Sequence, residues 1–520
     1  MNFQSLVSFR GWRRFALGFL FALAVIAALL GGRSLIMQQP ALPVPERAAL
    51  LVIRGVTVLN PGAHLPASQR RMPDRDVWLQ GNRILAIQRA GTAAPLQLTV
   101  SHLDLSDLRE LDGRGRYAIP GLIDMHVHLP PRTAIGNDRL FQLLFLAHGV
   151  TGMREMGATD DHVFRVRRRV RAGDLPGTRI FAAGRRLDGP GSVWPIARVL
   201  SGPADAATAV NQQIAAGADF IKVYSMLDAD RLRAIRSAAR DAGLRVVGHV
   251  PYRVPFHEAH IADVQHFEDV FQLQHIRSRA DWMHASDARW RNVSQADADY
   301  VVRVSVEQGL AHTPTLLNSH ARRSMQVDSS LPRPAALRYL PAYYEEIVWR
   351  DTARPADAAS AAKYARRRLQ LLRERAATKC GLVRRLHAAG VRIHAGTDIL
   401  MPYVLPGESM IGEIEALRDC GLDNEAALAA ATTLPGVFLN DRLGQIAPGF
   451  FADLLLLDAD PTQDLAALRN ARVAAVADGR LYRQNDLNSW LERYSAHFRG
   501  EPYHSVMTWI VRQIVGKYQS

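Results

Sequence analysis

Residues 121–130 read GLIDMHVHLP, an apolar run that ends in two histidines, His126 and His128. In a β-strand the side chains of residues i and i+2 project to the same face. Both imidazoles therefore point the same way at the end of the predicted strand, as two ligands of one metal ion would. An isolated H-x-H pair is a weak signal, so this interpretation depends on what the other strands carry.

Seven further β-rich runs alternate with helical stretches between about residues 119 and 431. They read GVTGMREM, TRIFAAG, DFIKVY, RVVGHV, DVQHFE, LAHTPTL and VRIHAGTD. With the run that ends at Asp124 they make eight strands. This alternation predicts an α/β fold, a TIM-like (β/α)8 barrel of residues 119–440.

Strand-like segments also flank the barrel in the sequence. We predict that residues 50–118 and 441–483 fold together as one composite β-sandwich domain. Residues 484–520 have the pattern of an amphipathic helix, which either packs on the body or touches a bilayer. The longest interval between strands, from Leu316 to Val391, predicts either a lid over the barrel mouth or a longer helical connection.

The amino-acid composition excludes several classes of protein. The 520 residues are 48% hydrophobic and 22% charged, which excludes disordered, collagen-like and disulfide-scaffold proteins. The net charge of +14 raises the question of a nucleic-acid partner. Lysine occurs only at positions 222, 363, 379 and 517, however, and the remaining basic residues are arginines scattered along the chain. We therefore expect no nucleic-acid partner.

The amino terminus predicts a membrane anchor within residues 1–36. Arg10, Arg13 and Arg14 precede an uncharged run, residues 15–32, which is about long enough to cross a hydrocarbon core. The arginines predict that the amino end stays in the cytoplasm and that the rest is exported. A linker, residues 37–49, follows. We expect a single-pass protein with an extracytoplasmic catalytic domain, and secretion after signal cleavage is the alternative.

Three further barrel strands end in residues that can bind a metal ion, namely His249, His266 and Asp398. The carboxyl ends of barrel strands converge at one mouth, so these side chains should meet His126 and His128. The two cysteines, Cys380 and Cys420, are too few for a disulfide framework and have no C-x-x-C spacing. They form either one bridge or two buried thiols.

Lys222, in GADFIKVY, is the remaining candidate for the metal site. A protonated ammonium group has no lone pair and cannot bind a cation. Carbon dioxide converts a neutral amine into a carbamate, whose two oxygens can bridge two metal ions. Arginine cannot replace lysine in this role because its guanidinium stays protonated. A lysine kept at this position by an arginine-rich chain points to the carbamate.

The sequence resembles the amidohydrolase superfamily, in the branch of imidazolonepropionase-like and Xaa-Pro dipeptidase (prolidase-type) enzymes. The resemblance extends from about Leu51 to Tyr482. The motifs that carry it are AIPGLIDMHVHL, GVTGMREMG, GADFIKVY, QHFED, TPTL, GTD and AALAAATTLPGVFL…LGQIAPGFFADLLLLDADP. It implies a (β/α)8 barrel with a β-sandwich, two divalent metal ions, usually zinc, and hydrolysis of amide or related bonds.

The resemblance also assigns roles to residues. It places His126, His128 and Asp398 at the more buried metal ion, His249 and His266 at the more exposed one, and carbamylated Lys222 between them. It implies attack by a hydroxide that bridges the metal ions, with Asp398 as the general base.

Other residues are candidates for substrate binding. Tyr224 shares the inward face of its strand with Lys222 and resembles a position that binds the substrate carboxylate or carbonyl in dipeptidase relatives; a packed core tyrosine is the alternative. His312, which precedes TPTL, is a second predicted substrate contact. His394 should be structural. Arg154 and Glu155 either orient the substrate or pair with each other.

The sequence favours cleavage of an amide or peptide bond in a small molecule or short peptide, by a dipeptidase or an N-acyl amino-acid hydrolase. Two alternatives remain open: a mononuclear deaminase or imidazolonepropionase-type hydrolase of cyclic amides, and a lactonase or phosphotriesterase on the same centre. Assembly into a homo-oligomer also stays open.

Overall fold

A computed structural model describes most of the chain after the linker begins. The described residues are 39–95, 108–129, 137–158, 161–192, 197–267, 269–271, 290, 293–319, 321–351, 354–355, 357–399, 401–439 and 441–519. The predicted anchor, residues 1–36, lies outside them and stays a prediction. Within the described ranges, no helix is long and apolar enough to cross a membrane.

Strands occur along the whole described part of the chain. In chain order they are β1 Leu50–Leu59, β2 Arg71–Gln80, β3 Arg83–Arg89, β4 Leu108–Asp112, β5 Tyr117–Pro120, β6 Leu122–Val127, β7 Val150–Glu155, β8 Arg179–Ala182, β9 Leu187–Asp188, β10 Arg198–Val199, β11 Phe220–Val223, β12 Arg245–Gly248, β13 Asp263–Gln265, β14 Ala311–Thr313, β15 Arg392–Ile393, β16 Leu454–Leu457, β17 Arg472–Ala477 and β18 Arg480–Arg483.

The α-helices alternate with many of these strands. In chain order they are α1 Ala67–Arg70, α2 Asp138–Ala147, α3 His162–Ala172, α4 Ala204–Ala216, α5 Ala229–Asp241, α6 Phe256–Ala259, α7 Gln295–Glu307, α8 Leu316–Ser319, α9 Ala321–Val327, α10 Ala358–Ala388, α11 Glu408–Asp419, α12 Asn424–Ala429, α13 Thr433–Leu439, α14 Ala467–Asn470, α15 Gln484–Arg499 and α16 Tyr503–Gln519. A 3₁₀ helix, Ala335–Tyr339, and a π-helical turn, Tyr344–Val348, lie between α9 and α10.

One mixed sheet of eight strands combines the two flanks of the barrel. Its order is β18-β17-β16-β5-β1-β2-β3, and β4 also pairs with β1. Strands β5 and β16 join the flanks, with Leu455 opposite Ile119. Ile53, Val77, Leu454 and Val476 belong to one buried cluster on this sheet. The predicted composite unit is thus present, although its strands are hydrogen-bonded as a single sheet that continues to Pro120.

The eight predicted barrel strands are all present. Strands β6, β7 and β8 pair in parallel, and so do β11 to β15. Two backbone hydrogen bonds close the ring: Asp219 N–H to the Ala182 oxygen at 2.9 Å, and Met125 N–H to the Ala395 oxygen at 3.0 Å. Because all eight strands are parallel, their carboxyl ends share one mouth.

The segment between the last two barrel strands is built mainly of helices. Helix α10 alone covers 31 residues, and Tyr343, Tyr344 and Trp349 are buried before it begins. Cys380 on α10 forms a disulfide with Cys420, which follows α11. Of the two states left open by the sequence, the cysteines are therefore paired.

The carboxyl-terminal extension packs on the body. Leu487, Leu491, Tyr494 and Phe498 recur along one face of α15 and are buried, and this helix contacts α2. Burial at intervals of three and four residues makes α15 amphipathic. Packing, the first of the two predicted roles, is what the structure shows for this helix.

Candidate metal centre

His126, His128 and Asp398 form a tight triangle at the barrel mouth. The two Nε2 atoms are 3.3 Å apart, and Oδ1 of Asp398 lies 3.5 Å from His126 Nε2 and 3.3 Å from His128 Nε2. Ligands about 2.0–2.1 Å from a tetrahedral zinc ion are separated by about 3.3 Å. The structure therefore brings together the three predicted ligands of the more buried metal at the spacing that such an ion needs.

His249 and His266 lie against this triangle. The ring centroids of His126 and His266 are 4.5 Å apart, and those of His249 and His266 are 5.1 Å apart. Ligand atoms of His126, His266 and Asp398 all fall within 4.8 Å of one another. All four predicted histidines and the aspartate thus share one centre, with His266 closer to the first group than the predicted division implied.

The hydrogen bonds of three histidines select one nitrogen for a metal. Nδ1 of His126 contacts Oε1 of Gln265, Nδ1 of His249 lies 3.1 Å from Ser225 Oγ, and Nδ1 of His266 lies 2.6 Å from Thr315 Oγ1. Each contact occupies Nδ1 and leaves Nε2 for the centre. Such partners fix the tautomer and the ring orientation of metal-binding histidines.

The same three imidazoles are held neutral. Burial lowers the pKa of His126, His249 and His266 well below its usual value, and the neighbouring histidines and Lys222 lower it further. A neutral imidazole keeps the lone pair that a metal ion requires. Both tautomer and charge therefore suit metal binding.

Lys222 supplies an unusual buried amine. Its side chain is 1% exposed, and Nζ has no hydrogen-bond partner among the described residues. Burial lowers the pKa of the amine well below its usual value, and the positive charges of Arg186 and Arg154 lower it further. A buried, unpaired amine costs free energy, and a neutral amine is the form that reacts with carbon dioxide. The residue thus fits the predicted carbamate.

Two residues at the centre have strained backbones. His266 and Asp398 have φ values of 58° and 62°, in the left-handed region, and so does Thr315 at 48°. For residues other than glycine this conformation costs on the order of 1–2 kcal/mol each. Because such outliers cluster at functional sites, they add independent support for this position.

Tyr224 is in the predicted place. Its ring centroid lies 4.1 Å from that of His249. The guanidinium carbon of Arg186 lies 5.4 Å from the centroid of the same tyrosine ring. Arg186 follows the third barrel strand and was not predicted, because nothing in GRRLDG distinguishes it from the other arginines.

A buried polar network lies beneath the centre. Asp263 accepts hydrogen bonds from Gln265 Nε2 at 2.7 Å and Thr313 Oγ1 at 2.9 Å, forms a salt bridge with Arg154 at 3.0 Å, and contacts His394 Nδ1 at 2.7 Å. Because Asp263 only accepts, Gln265 must turn its oxygen toward His126. The network confirms that His394 is structural.

Of the two predictions for Arg154 and Glu155, the structure contradicts their pairing with each other. Arg154 pairs with Asp263 rather than with Glu155, and it is fully buried below the mouth. Oε1 of Glu155 lies 3.8 Å from His128 Nδ1 instead. The two side chains diverge because neighbouring strand residues project to opposite faces.

The prediction for His312 is wrong in this structure. Its Nε2 lies 2.8 Å from Ser305 Oγ on α7, and its ring packs on Phe267 and Phe256. On the same strand Thr313 reaches Asp263 inside the barrel. His312 has the opposite parity and points into the helical layer, so it is not a substrate contact.

Asn318 is another residue at the centre that the sequence did not reveal. It lies on α8, and its Nδ2 donates a hydrogen bond to Asp398 Oδ2 at 2.9 Å. The short TPTL motif ends two residues earlier, and it signals Thr315 but not Asn318.

Comparison with known proteins identifies the family. The profile of the amidohydrolase family matches residues 117–481. The chain therefore belongs to the amidohydrolase family, hydrolases that act on carbon–nitrogen bonds, as the motifs predicted. A 79-residue stretch is 35% identical to an adenine deaminase of Chelativorans sp. (strain BNC1), and it spans only 15% of this chain and 11% of that enzyme.

Solved structures share the fold. A Xaa-Pro dipeptidase with methionine bound in its active site has a TM-score of 0.58 and 20% identity, over 84% of this chain and 100% of that one. Bottromycin amidohydrolase has a TM-score of 0.64 and 24% identity, over 87% and 91%. The A. niger ochratoxinase has a TM-score of 0.56 and 16% identity, over 84% and 96%. The fold neighbours thus include the predicted prolidase-type branch.

Proposed function

We propose that the protein is a binuclear metal-dependent amidohydrolase that cleaves an amide or peptide bond in a dipeptide or an N-acyl amino acid. The observation that carries this proposal is the buried amine of Lys222, which has no hydrogen-bond partner in the described part of the chain. This amine lies close enough to Asp398 and to three of the histidines to interact with them electrostatically. A single metal ion could be held by the triangle of His126, His128 and Asp398 alone. The additional amine and the two further histidines support a second ion.

Lys222 acts as its carbamate in this proposal. The neutral nitrogen attacks the carbon of carbon dioxide, one N–H proton is lost to solvent, and the product carries one negative charge on two oxygens. That charge replaces an amine that otherwise lies buried with no hydrogen-bond partner among the residues that the structure describes. His126, His128 and Asp398 would hold one ion, His249 and His266 the other, and the Lys222 carbamate would contact both.

Two divalent ions, zinc being the first choice, would supply an acidified water and polarise the scissile carbonyl. Asp398 then accepts a proton from the attacking water and passes it to the nitrogen of the leaving amine. Asn318 holds the Oδ2 atom of that carboxylate, so Oδ1 stays directed at the centre. Tyr224, whose ring packs against that of His249, would donate a hydrogen bond to the substrate.

The charges beside Tyr224 favour a substrate with a carboxylate near the scissile bond. The Arg186 guanidinium lies against the Tyr224 ring, and its positive charge acts on both Lys222 and His249. A carboxylate of a dipeptide or an N-acyl amino acid would be attracted to this side of the mouth. A neutral cyclic amide has no such group.

Metal-replete protein incubated with a library of dipeptides and N-acyl amino acids tests the proposal. We expect release of free amino acid, and none from an Asp398→Asn variant prepared in parallel. Ammonia release from purines or ring opening of cyclic amides, with about one metal ion per chain, would establish the mononuclear alternative instead. Turnover confined to lactones or phosphotriesters would be compatible with the proposed metal centre but would contradict the proposed amide substrate.

We also propose that the catalytic domain is exported and held by the amino-terminal anchor. The Cys380–Cys420 disulfide supports an oxidising compartment. Fractionation of cells that produce the full chain, followed by thiol labelling, should find the protein in the membrane fraction with both cysteines oxidised. Fully reduced protein in the soluble cytoplasm would contradict this location, and oxidised protein free of the membrane would indicate cleavage.

A further inference from the structure

Two buried charged residues outside the predicted set of metal ligands contact the centre through one short helix. We infer that Lys379 and Glu413, on the disulfide-linked helices α10 and α11, are positioning residues that hold α8 and thereby orient His266 and Asp398. This inference rests on the proposed function, because it assumes that those two residues bind metal.

Helix α8 and the residue before it make direct contact with both metal-site residues. Thr315 Oγ1 lies 2.6 Å from His266 Nδ1, and Asn318 Nδ2 lies 2.9 Å from Asp398 Oδ2. Thr315, with φ at 48°, is in a conformation that it would not adopt without external support. The position of this short segment therefore decides where two of the predicted ligands point.

Glu413 holds the start of α8. Its Oε1 accepts a hydrogen bond from the Leu316 N–H at 2.8 Å, and its Oε2 accepts one from the Leu317 N–H at 2.7 Å. The side chain is fully buried. Both carboxylate oxygens of Glu413 thus accept hydrogen bonds from the backbone immediately after Thr315. A glutamine at this position has only one side-chain oxygen and would leave one of the two N–H groups unsatisfied.

Lys379 holds the two ends of the same segment. Its Nζ donates to Ser319 Oγ at 2.8 Å and to the Pro314 carbonyl at 3.5 Å, and the side chain is fully buried. Like Lys222, this lysine is buried close enough to the centre to interact electrostatically with His266. The Lys379 charge acts on both His266 and Glu413.

The disulfide connects the two supports. Cys380 is the residue after Lys379, and Cys420 follows the helix that carries Glu413. A covalent link between α10 and α11 limits how far apart Lys379 and Glu413, the two side chains that hold α8, can move. The long segment after the seventh barrel strand therefore influences the centre through α8, in addition to any part that it has in the barrel mouth.

The affinity of the protein for cobalt(II), measured by competition with a chelator, tests the inference without any substrate. The variants are Glu413→Gln and Lys379→Met. The matched control is Glu408→Gln, since Glu408 is buried on the same helix but accepts from the Ala336 N–H and does not contact α8. Thermal unfolding of each variant shows how much general stability is lost.

We expect Glu413→Gln and Lys379→Met to weaken cobalt binding about tenfold or more and to alter the visible cobalt spectrum, as loss of groups that orient metal ligands does. Glu408→Gln should lower the melting temperature while leaving affinity and spectrum within about twofold of wild type, since it touches no group that orients a ligand. Wild-type affinity in the first two variants, or an equal loss in the control, overturns the inference alone.

A double variant keeps the test decisive if one substitution prevents folding. Thr315→Val removes only the contact with His266. Combining it with whichever of Glu413→Gln and Lys379→Met folds should cost little more affinity than the larger single loss, because both substitutions act through one segment. Fully additive losses contradict the inference. A wild-type protein that binds no cobalt overturns the proposed function itself.

Discussion

Asn318 binds one carboxylate oxygen of Asp398 and leaves the other directed at the metal-site histidines. The Asn318 amide donates to Oδ2 at 2.9 Å, and Oδ1 lies within 3.5 Å of the Nε2 atoms of both His126 and His128. The residue proposed as ligand and base is thereby fixed in rotation by a neighbour 80 positions earlier in the chain. The orientation of the Asp398 carboxylate therefore depends on tertiary structure and not on neighbouring residues in the sequence.

Removing the Asn318 donor should impair turnover more than substrate binding. In Asn318→Leu the Asp398 side chain loses a charge-assisted hydrogen bond, and we expect kcat to fall about tenfold or more with little change in KM. Arg323→Leu is the matched control, since Arg323 donates to the opposite end of the Asn318 amide over 3.4 Å. Steady-state kinetics on the best substrate of the library measure kcat and KM for each variant. An unchanged kcat in Asn318→Leu would show that Asn318 does not orient Asp398 for catalysis.

Asp398→Asn should abolish catalysis without unfolding the protein. Loss of a general base costs about 10²–10⁴-fold in rate, and asparagine retains the size of the side chain. Circular dichroism and the melting temperature should stay close to wild type while kcat falls by at least about a hundredfold. Undiminished hydrolysis by this variant would refute the base assignment.

Buried His312 should make the protein sensitive to acid. Burial lowers the pKa of His312 to about 4, below the value near 6.5 in an unfolded chain. Between these values the unfolded state binds more protons, so this contribution to stability is complete above pH 6.5 and is lost as the pH falls through 4. The loss amounts to roughly 3 kcal/mol.

Urea unfolding of wild type and His312→Asn at pH 7.5 and 4.5 measures this contribution. The variant starts less stable because its ring packing is lost, but its stability should fall less between the two pH values. Burial lowers the pKa of other histidines as well, among them His148 and His394, so the informative quantity is the difference between the two slopes. Equal slopes would show that His312 is not the group responsible.

The Cys380–Cys420 disulfide should contribute substantially to stability. It joins residues 40 positions apart, and closing a loop of that length stabilises a protein by roughly 3–4 kcal/mol. A Cys380→Ser, Cys420→Ser double variant should melt at a lower temperature and release metal to a chelator faster than wild type. A melting temperature unaffected by the double substitution or by reductant would mean that the bridge contributes nothing.

The sequence predicted the barrel and the members of the centre for the same physical reason. Period-two alternation places His126 and His128 on one face, and parallel strands bring Lys222, His249, His266 and Asp398 to one mouth. These are short-range patterns combined with a topological rule. They do not depend on how individual side chains pack.

The remaining features depend on long-range packing. Parity within the short strand β14 could not be assigned from LAHTPTL, so His312 was predicted on the wrong face. Gln265, Thr315 and Asn318 contact the centre through hydrogen bonds with partners 49 to 139 positions away, and no spacing in the sequence encodes those contacts. The cysteines stayed ambiguous because their pairing depends on the distance between two helices.

The number of metal ions per chain tests the central claim most directly. Inductively coupled plasma mass spectrometry on protein grown with zinc and bicarbonate should find about two ions in wild type and in Lys363→Ala, an exposed lysine on α10. Lys222→Ala should retain about one or fewer, because no carbamate can form. Two ions retained in Lys222→Ala, or no bound metal in wild type, would contradict the account.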